Sequence, residues 1–146
     1  VIKNKKLYWR NLSDGIPLND NSVDVVFSSH FLEHLTKNDG QQLLNDIYRI
    51  LKPGGLVRIL VPDLDIAIQR FNNGEINDTL DLFFYTSEKG DFSAHKYNYS
   101  FGSKKNQLEE IGFISVVKQS HKIGECPDIE YLDIYPDHSL YVEAKK

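Results

Sequence analysis

DGIPLNDNSVDVVFSSHFLEHLTKNDGQQLLNDIYRILKPGGLVRILV, residues 14–61, is the stretch whose reading decides the fold. Within it, residues 24–28 (DVVFS) make a short apolar, β-branched run without alternation, which is how a strand covered on both faces reads. From Thr36 onward, Leu43, Leu44, Ile47, Tyr48 and Leu51 recur at the spacing of a helix with one buried stripe. Thr36 and Asp39 can cap its start, and Pro53-Gly54-Gly55 is expected to stop it. Residues 56–61 (LVRILV) then read as a second buried strand. A strand, a crossover helix and a strand form a parallel, right-handed unit, so the centre of the molecule is expected to be an open α/β sheet.

Further along, residues 64–71 predict a helix capped by Asp63, with Ile66, Ala67 and Phe71 turned inward. Residues 80–84 predict another short helix. Residues 104–111 predict a third, capped by Ser103 and ended by Gly112. Residues 113–118 and 139–144 read as strands, the last one antiparallel to its neighbours. A long acidic connection with Cys126, Pro127 and Pro136 joins them. Residues 7–9 (Leu7-Tyr8-Trp9) read as a further strand near the start.

The segments SVDVVFSSHFLEHL and RILKPGGLVRILVPDL, with LEEIGFISVV and SLYVEAKK closing the chain, resemble the class I S-adenosylmethionine-dependent methyltransferases of the small type 11 kind. That resemblance implies a three-layer αβα sandwich, Rossmann-like, with a mostly parallel sheet and a C-terminal antiparallel strand. It also implies methyl transfer from S-adenosylmethionine. The family's glycine-rich turn, G-x-G-x-G after the first strand, is not found here, and Gly54-Gly55 follows a helix and reads as its cap. The expectation is therefore a single, partial methyltransferase domain over residues 1–146, with the first βαβ segment missing and with weak cofactor binding by this chain alone. A methyltransferase-like interaction module without activity is the alternative.

Bulk composition narrows the partners. A chain of 146 residues makes one domain, and at that size about 68 to 70% of the unfolded surface is buried on folding. With 40% hydrophobic residues, no bilayer-length apolar run and no leader-like start, the expected location is the cytoplasm, without a membrane. Cys126 is the single cysteine and can form no disulfide within the chain. The net charge is −4 and the lysines are scattered, which argues against nucleic acid. A small-molecule or glycan-like acceptor fits better.

Candidate site residues fall at strand ends. Ser28, Ser29 and His30 stand where the central strand turns into helix, the carboxyl edge at which open α/β sheets bind ligands. By the resemblance they touch the cofactor, with His30 leaning over it. Asn11 and Leu12 occupy the place after the family's third strand, where Asn11 either accepts a bond from the adenine amino group or caps a turn. Asp63, at the end of the second strand, combines a capping role with a position facing the acceptor. His95, in the loop His95-Lys96-Tyr97-Asn98-Tyr99, is either a base for proton removal or part of an aromatic plug. Together His30, Asp63 and His95 are the candidate catalytic groups. His30-x-x-Glu33-His34 also spells the inverted zinc-peptidase order. Its setting directly after a buried strand argues against a hydrolase, so no metal is expected, and Glu33 and His34 are expected to bond loop backbone instead.

The strand at residues 23–28 carries Val25, Val26 and Phe27 with nothing to blunt its second edge. Either residues 6–10 fold against that edge or a second copy does, giving a homodimer.

Overall fold

The computed structural model describes residues 11–83 and 94–146. The expected strand at residues 7–9, and the pairing of residues 6–10 with the sheet edge, lie outside the described residues. Four strands form one mixed sheet in the order β1-β2-β4-β3: β1 Val23–Ser29, β2 Leu51–Pro62, β3 Ile114–Gln119 and β4 Ser139–Lys145. β1 runs parallel to β2, and β4 is antiparallel to both β2 and β3. Among the described residues β1 is a terminal strand.

Helix α1, Lys37–Ile50, is the crossover between β1 and β2, and the Thr36 hydroxyl accepts from the Asp39 amide as the spacing predicts. The stop is different from the expected one. Leu51 already belongs to β2, and Pro53-Gly54-Gly55 lies inside the strand, where the register slips between the Val23–Leu51 and Val25–Leu56 pairs. Gly55 explains why the kink can sit there. A Cβ on it would stand 2.8 Å from the Lys52 carbonyl oxygen and 3.1 Å from that of Asp24.

Along β2 the side chains alternate. Val57, Ile59 and Val61 meet Leu43, Leu44 and Ile47 of α1 and Leu108 of α4 (Phe101–Ile111), with Leu140, Val142 and Ala144 of β4 completing that core. Arg58 and Leu60 point to the opposite face. There the connection between β3 and β4, with its single-turn helix α5 (Ile129–Leu132), folds back on the sheet and closes over Arg58.

One helix start and one helix face differ from the sequence expectation. α4 starts at Phe101 with Ser100 as its cap, and Ser103 is the third residue of a reciprocal capping box rather than the cap itself. In α2, Leu64–Asn72, Ala67 is buried but Phe71 is 46% exposed, because α2 packs against the short α3 (Ile76–Phe83) and turns Phe71 away. Asp63 caps α2 as expected, through the Asp65 amide.

Candidate functional site

β1 ends at Ser29, and the chain leaves the sheet through His30, whose φ of +48 is unusual for a residue with a side chain. Its amide stays on the sheet by donating to the Leu60 carbonyl at 2.9 Å. This turn aims the imidazole across the carboxyl ends of β1 and β2. Nε2 lies 2.8 Å from Ser139 Oγ, Nδ1 lies 3.2 Å from Glu33 Oε1, and the ring leans on Tyr135 at 4.3 Å between centroids. Leu32–His34 is one turn of 3-10 helix rather than the start of an α-helix. His30 therefore stands outside any helical face shared with His34, and the inverted zinc-peptidase geometry, with both histidines on one helix, is not formed.

Above this turn lies a cleft of about 450 Å³. Four of the five histidines of the chain line it: His30, His34, His95 and His138. The loop that brings His95 is tied down by its backbone, since the Lys96 and Tyr97 amides both donate to the Glu33 carbonyl, at 2.7 and 3.2 Å. His34 Nδ1 lies 3.3 Å from the Ala94 carbonyl oxygen, which holds its proton on that nitrogen and turns Nε2 toward Glu33 at 3.9 Å. The backbone bonding expected for His34 is present.

The side chain of Glu33 behaves otherwise. It is 1% exposed, it lines the cleft, and neither of its oxygens completes a hydrogen bond among the described residues, although His30 Nδ1 stands 3.2 Å and His34 Nε2 3.9 Å from Oε1. Buried carboxylates are normally bonded several times over. Ser29 Oγ, one residue before His30, is another buried oxygen without a hydrogen-bond partner among the described residues.

The remaining candidates are spread more widely. Asp63 is fully buried beneath the cleft, accepting from Lys118 Nζ at 2.8 Å and from the Asp65 amide at 3.0 Å, so both its oxygens serve the fold. Leu12 lines a different concavity, of about 400 Å³, beside Asp46 and Arg49 of α1, and Asn11 is exposed. The structure thus brings His30 and His95 into one cleft and leaves Asp63, Asn11 and Leu12 outside its lining.

Sequence reasoning missed Ser139, Tyr135 and His138. The signal existed in the register. A last strand antiparallel to β2 must begin where β2 ends, and Ser139 pairs with Pro62 while the Asp63 amide donates to the His138 carbonyl at 2.8 Å.

Comparison with known proteins agrees with this architecture. Residues 5–59 match the family described as a methyltransferase domain. Over 113 residues the chain is 26% identical to a ubiquinone/menaquinone biosynthesis C-methyltransferase from a Ruegeria species, covering 73% of this chain and 41% of that protein. The chain therefore spans less than half the length of that relative. Among solved structures, a SAM-dependent methyltransferase from Archaeoglobus fulgidus superposes with a TM-score of 0.56 at 23% identity, over 88% of this chain and 62% of its own. An S-adenosylmethionine-dependent methyltransferase from Mesorhizobium loti superposes with a TM-score of 0.56 at 19% identity, over 95% of this chain and 68% of its own. The chain thus shares its fold with these S-adenosylmethionine-dependent methyltransferases, and residues 5–59 are similar in sequence to the methyltransferase-domain family.

Proposed function

We propose that the chain takes part in methyl transfer from S-adenosylmethionine to a small-molecule or glycan-like acceptor, at the cleft over the ends of β1 and β2. The observation that supports this most is a coincidence in space: the family-matched segment contains β1 and the turn that carries His30 and Glu33 into the cleft. Bound there, the cofactor supplies a methyl group already activated on a sulfonium. What is left to the protein is alignment, exclusion of water and the handling of a proton. The Ser29 hydroxyl, at the carboxyl end of β1 and without a hydrogen-bond partner among the described residues, suits a polar ligand at that place, with the backbone of residues 28–30 beside it.

His30 is the group we assign to the acceptor's proton. Glu33 beside Nδ1 steadies the imidazolium, and the Ser139 hydroxyl at Nε2 bridges the ring to the cleft. Asp63 is a positioning residue in this scheme, holding the start of α2 and Lys118 below the site. His95 lines the same cleft.

Two measurements test this reading. In equilibrium titration with S-adenosylmethionine, Ser29→Val is expected to weaken binding about tenfold, the worth of one hydrogen bond of roughly 1.4 kcal/mol. In transfer of a labelled methyl group to a panel of hydroxylated acceptors, His30→Ala is expected to lower turnover on the order of 100-fold. An unchanged affinity in the first and an unchanged rate in the second would remove the site from the cleft.

A further inference from the structure

We propose that Glu33, His34 and His95 bind a divalent transition-metal ion of the zinc class. Each offers one ligand atom, and the three atoms lie within 4.8 Å of one another. A zinc ion with bonds of about 2.1 Å holds tetrahedral ligand atoms about 3.3 Å apart, so a closing movement of roughly 1 Å completes the set. The backbone beside His95 is held to the Glu33 carbonyl through the Lys96 and Tyr97 amides, so the movement falls to the side-chain torsions.

Three observations point to a cation rather than to chance proximity. The Glu33 carboxylate is buried and neither oxygen completes a hydrogen bond among the described residues, with His30 Nδ1 in contact at 3.2 Å, a state that a bound cation relieves. His34 already has the arrangement of a metal ligand, one ring nitrogen held by the Ala94 carbonyl and the other facing Glu33. His30 Nδ1 beside Glu33 Oε1 supplies the outer-shell donor that a ligating carboxylate usually has. Two imidazoles and one carboxylate select zinc-like ions over magnesium or calcium, which require oxygen ligands. The ion would pin the turn after β1 to the loop that carries His95, across the floor of the cleft.

This ligand set differs from the zinc-peptidase pattern, in which Glu33 would be a base and His30 a ligand. It does not depend on methyl transfer, and it is read without S-adenosylmethionine. The test is to strip the purified chain with a chelator and titrate it with Zn²⁺ alone, then with Co²⁺ as an absorbing substitute. One ion per chain is expected, with strong visible absorption from Co²⁺ in a four-coordinate site. His95→Ala should weaken binding by at least the ~10- to 100-fold that loss of an outer-shell partner costs. His121→Ala, remote from the cleft, should leave the affinity unchanged. Because His34→Ala removes a turn contact as well, His95→Ala, confirmed as folded by circular dichroism, is the deciding variant. Absence of saturable binding, or full affinity in folded His95→Ala, overturns the proposal.

Discussion

Two buried carboxylates, Glu143 and Glu33, sit on the same small domain in opposite circumstances. Glu143, 2% exposed on β4, takes Arg58 at 2.9 Å, the Glu125 and Cys126 amides at 2.8 and 2.9 Å, and Gln119 at 3.2 Å. Arg58 is fully buried, and besides Glu143 it reaches Asp133 and the carbonyls of Ser120 and Ile123. Burial pushes the Arg58 pKa down, but Asp133 and Glu143 outweigh it and hold the guanidinium above its ordinary value. Glu33, 1% exposed, has imidazoles around it and no completed bond among the described residues. A closed network of this kind fixes a chain path, here the connection between β3 and β4. A carboxylate that completes no such bonds among the described residues, in a cleft at the carboxyl edge of a sheet, stands where such sheets bind ligands.

The strongest way to break the comparison is Arg58→Met. It leaves Asp133 and Glu143 buried together without a counter-charge, and the expected loss is about 3 to 5 kcal/mol in urea unfolding. A loss below ~1 kcal/mol would mean that the network is dispensable. Next in size is Gly124→Ala. A Cβ there would stand 2.4 Å from Glu143 Oε1 and 2.6 Å from Arg58 Nη1, so the whole network must shift, at roughly 1 to 3 kcal/mol. A neutral result would show that the connection gives way easily.

Much of the architecture was legible because it rests on local patterns. The stripe of α1, the mostly apolar run LVRILV of β2, the Thr36 and Asp63 caps and Gly112, at φ +114, all follow from residues a few positions apart. Ser100 was missed as the α4 cap because Ser103 offers the same chemistry three residues later, and only the reciprocal bonds distinguish them. Phe71 was misplaced because helical periodicity gives a face and not what covers it. Arg58 passed unremarked within LVRILV, since its partners lie far along the chain, at Asp133 and Glu143. The site was half legible for the same reason. His30 follows from the end of β1, whereas Ser139 and His138 depend on the antiparallel register of β4, and the meeting of Glu33, His34 and His95 depends on a loop path that no local pattern encodes.

A smaller effect sharpens the picture around Glu33. Lys104 is fully buried over the face of Tyr99, at 3.4 Å from the ring centroid, and donates to Gln107 at 2.9 Å. Burial lowers its pKa from 10.5 to about 7, against the opposing pull of the Glu33 charge. Between pH 7 and 10.5 the unfolded chain holds a proton that the folded chain does not, so this group makes stability rise with pH across that window. Its penalty is complete below pH 7. Denaturant midpoints measured from pH 7 to 10 should show that rise, worth about one proton, and Lys104→Met should flatten it. A flat wild-type profile would place Lys104 in a wetter setting than the structure gives it.

The comparison turns finally on Glu33→Gln, followed by urea unfolding and by Zn²⁺ titration on the same preparation. If Glu33 belongs to a site and Glu143 to the frame, removing this charge leaves folding stability unchanged or higher, since a buried amide costs less than a buried carboxylate that completes no hydrogen bond among the described residues. Metal affinity should fall by more than about tenfold in the same variant. A loss of several kcal/mol, comparable to that of Arg58→Met and with metal affinity unaltered, would contradict the account and make Glu33 another part of the frame.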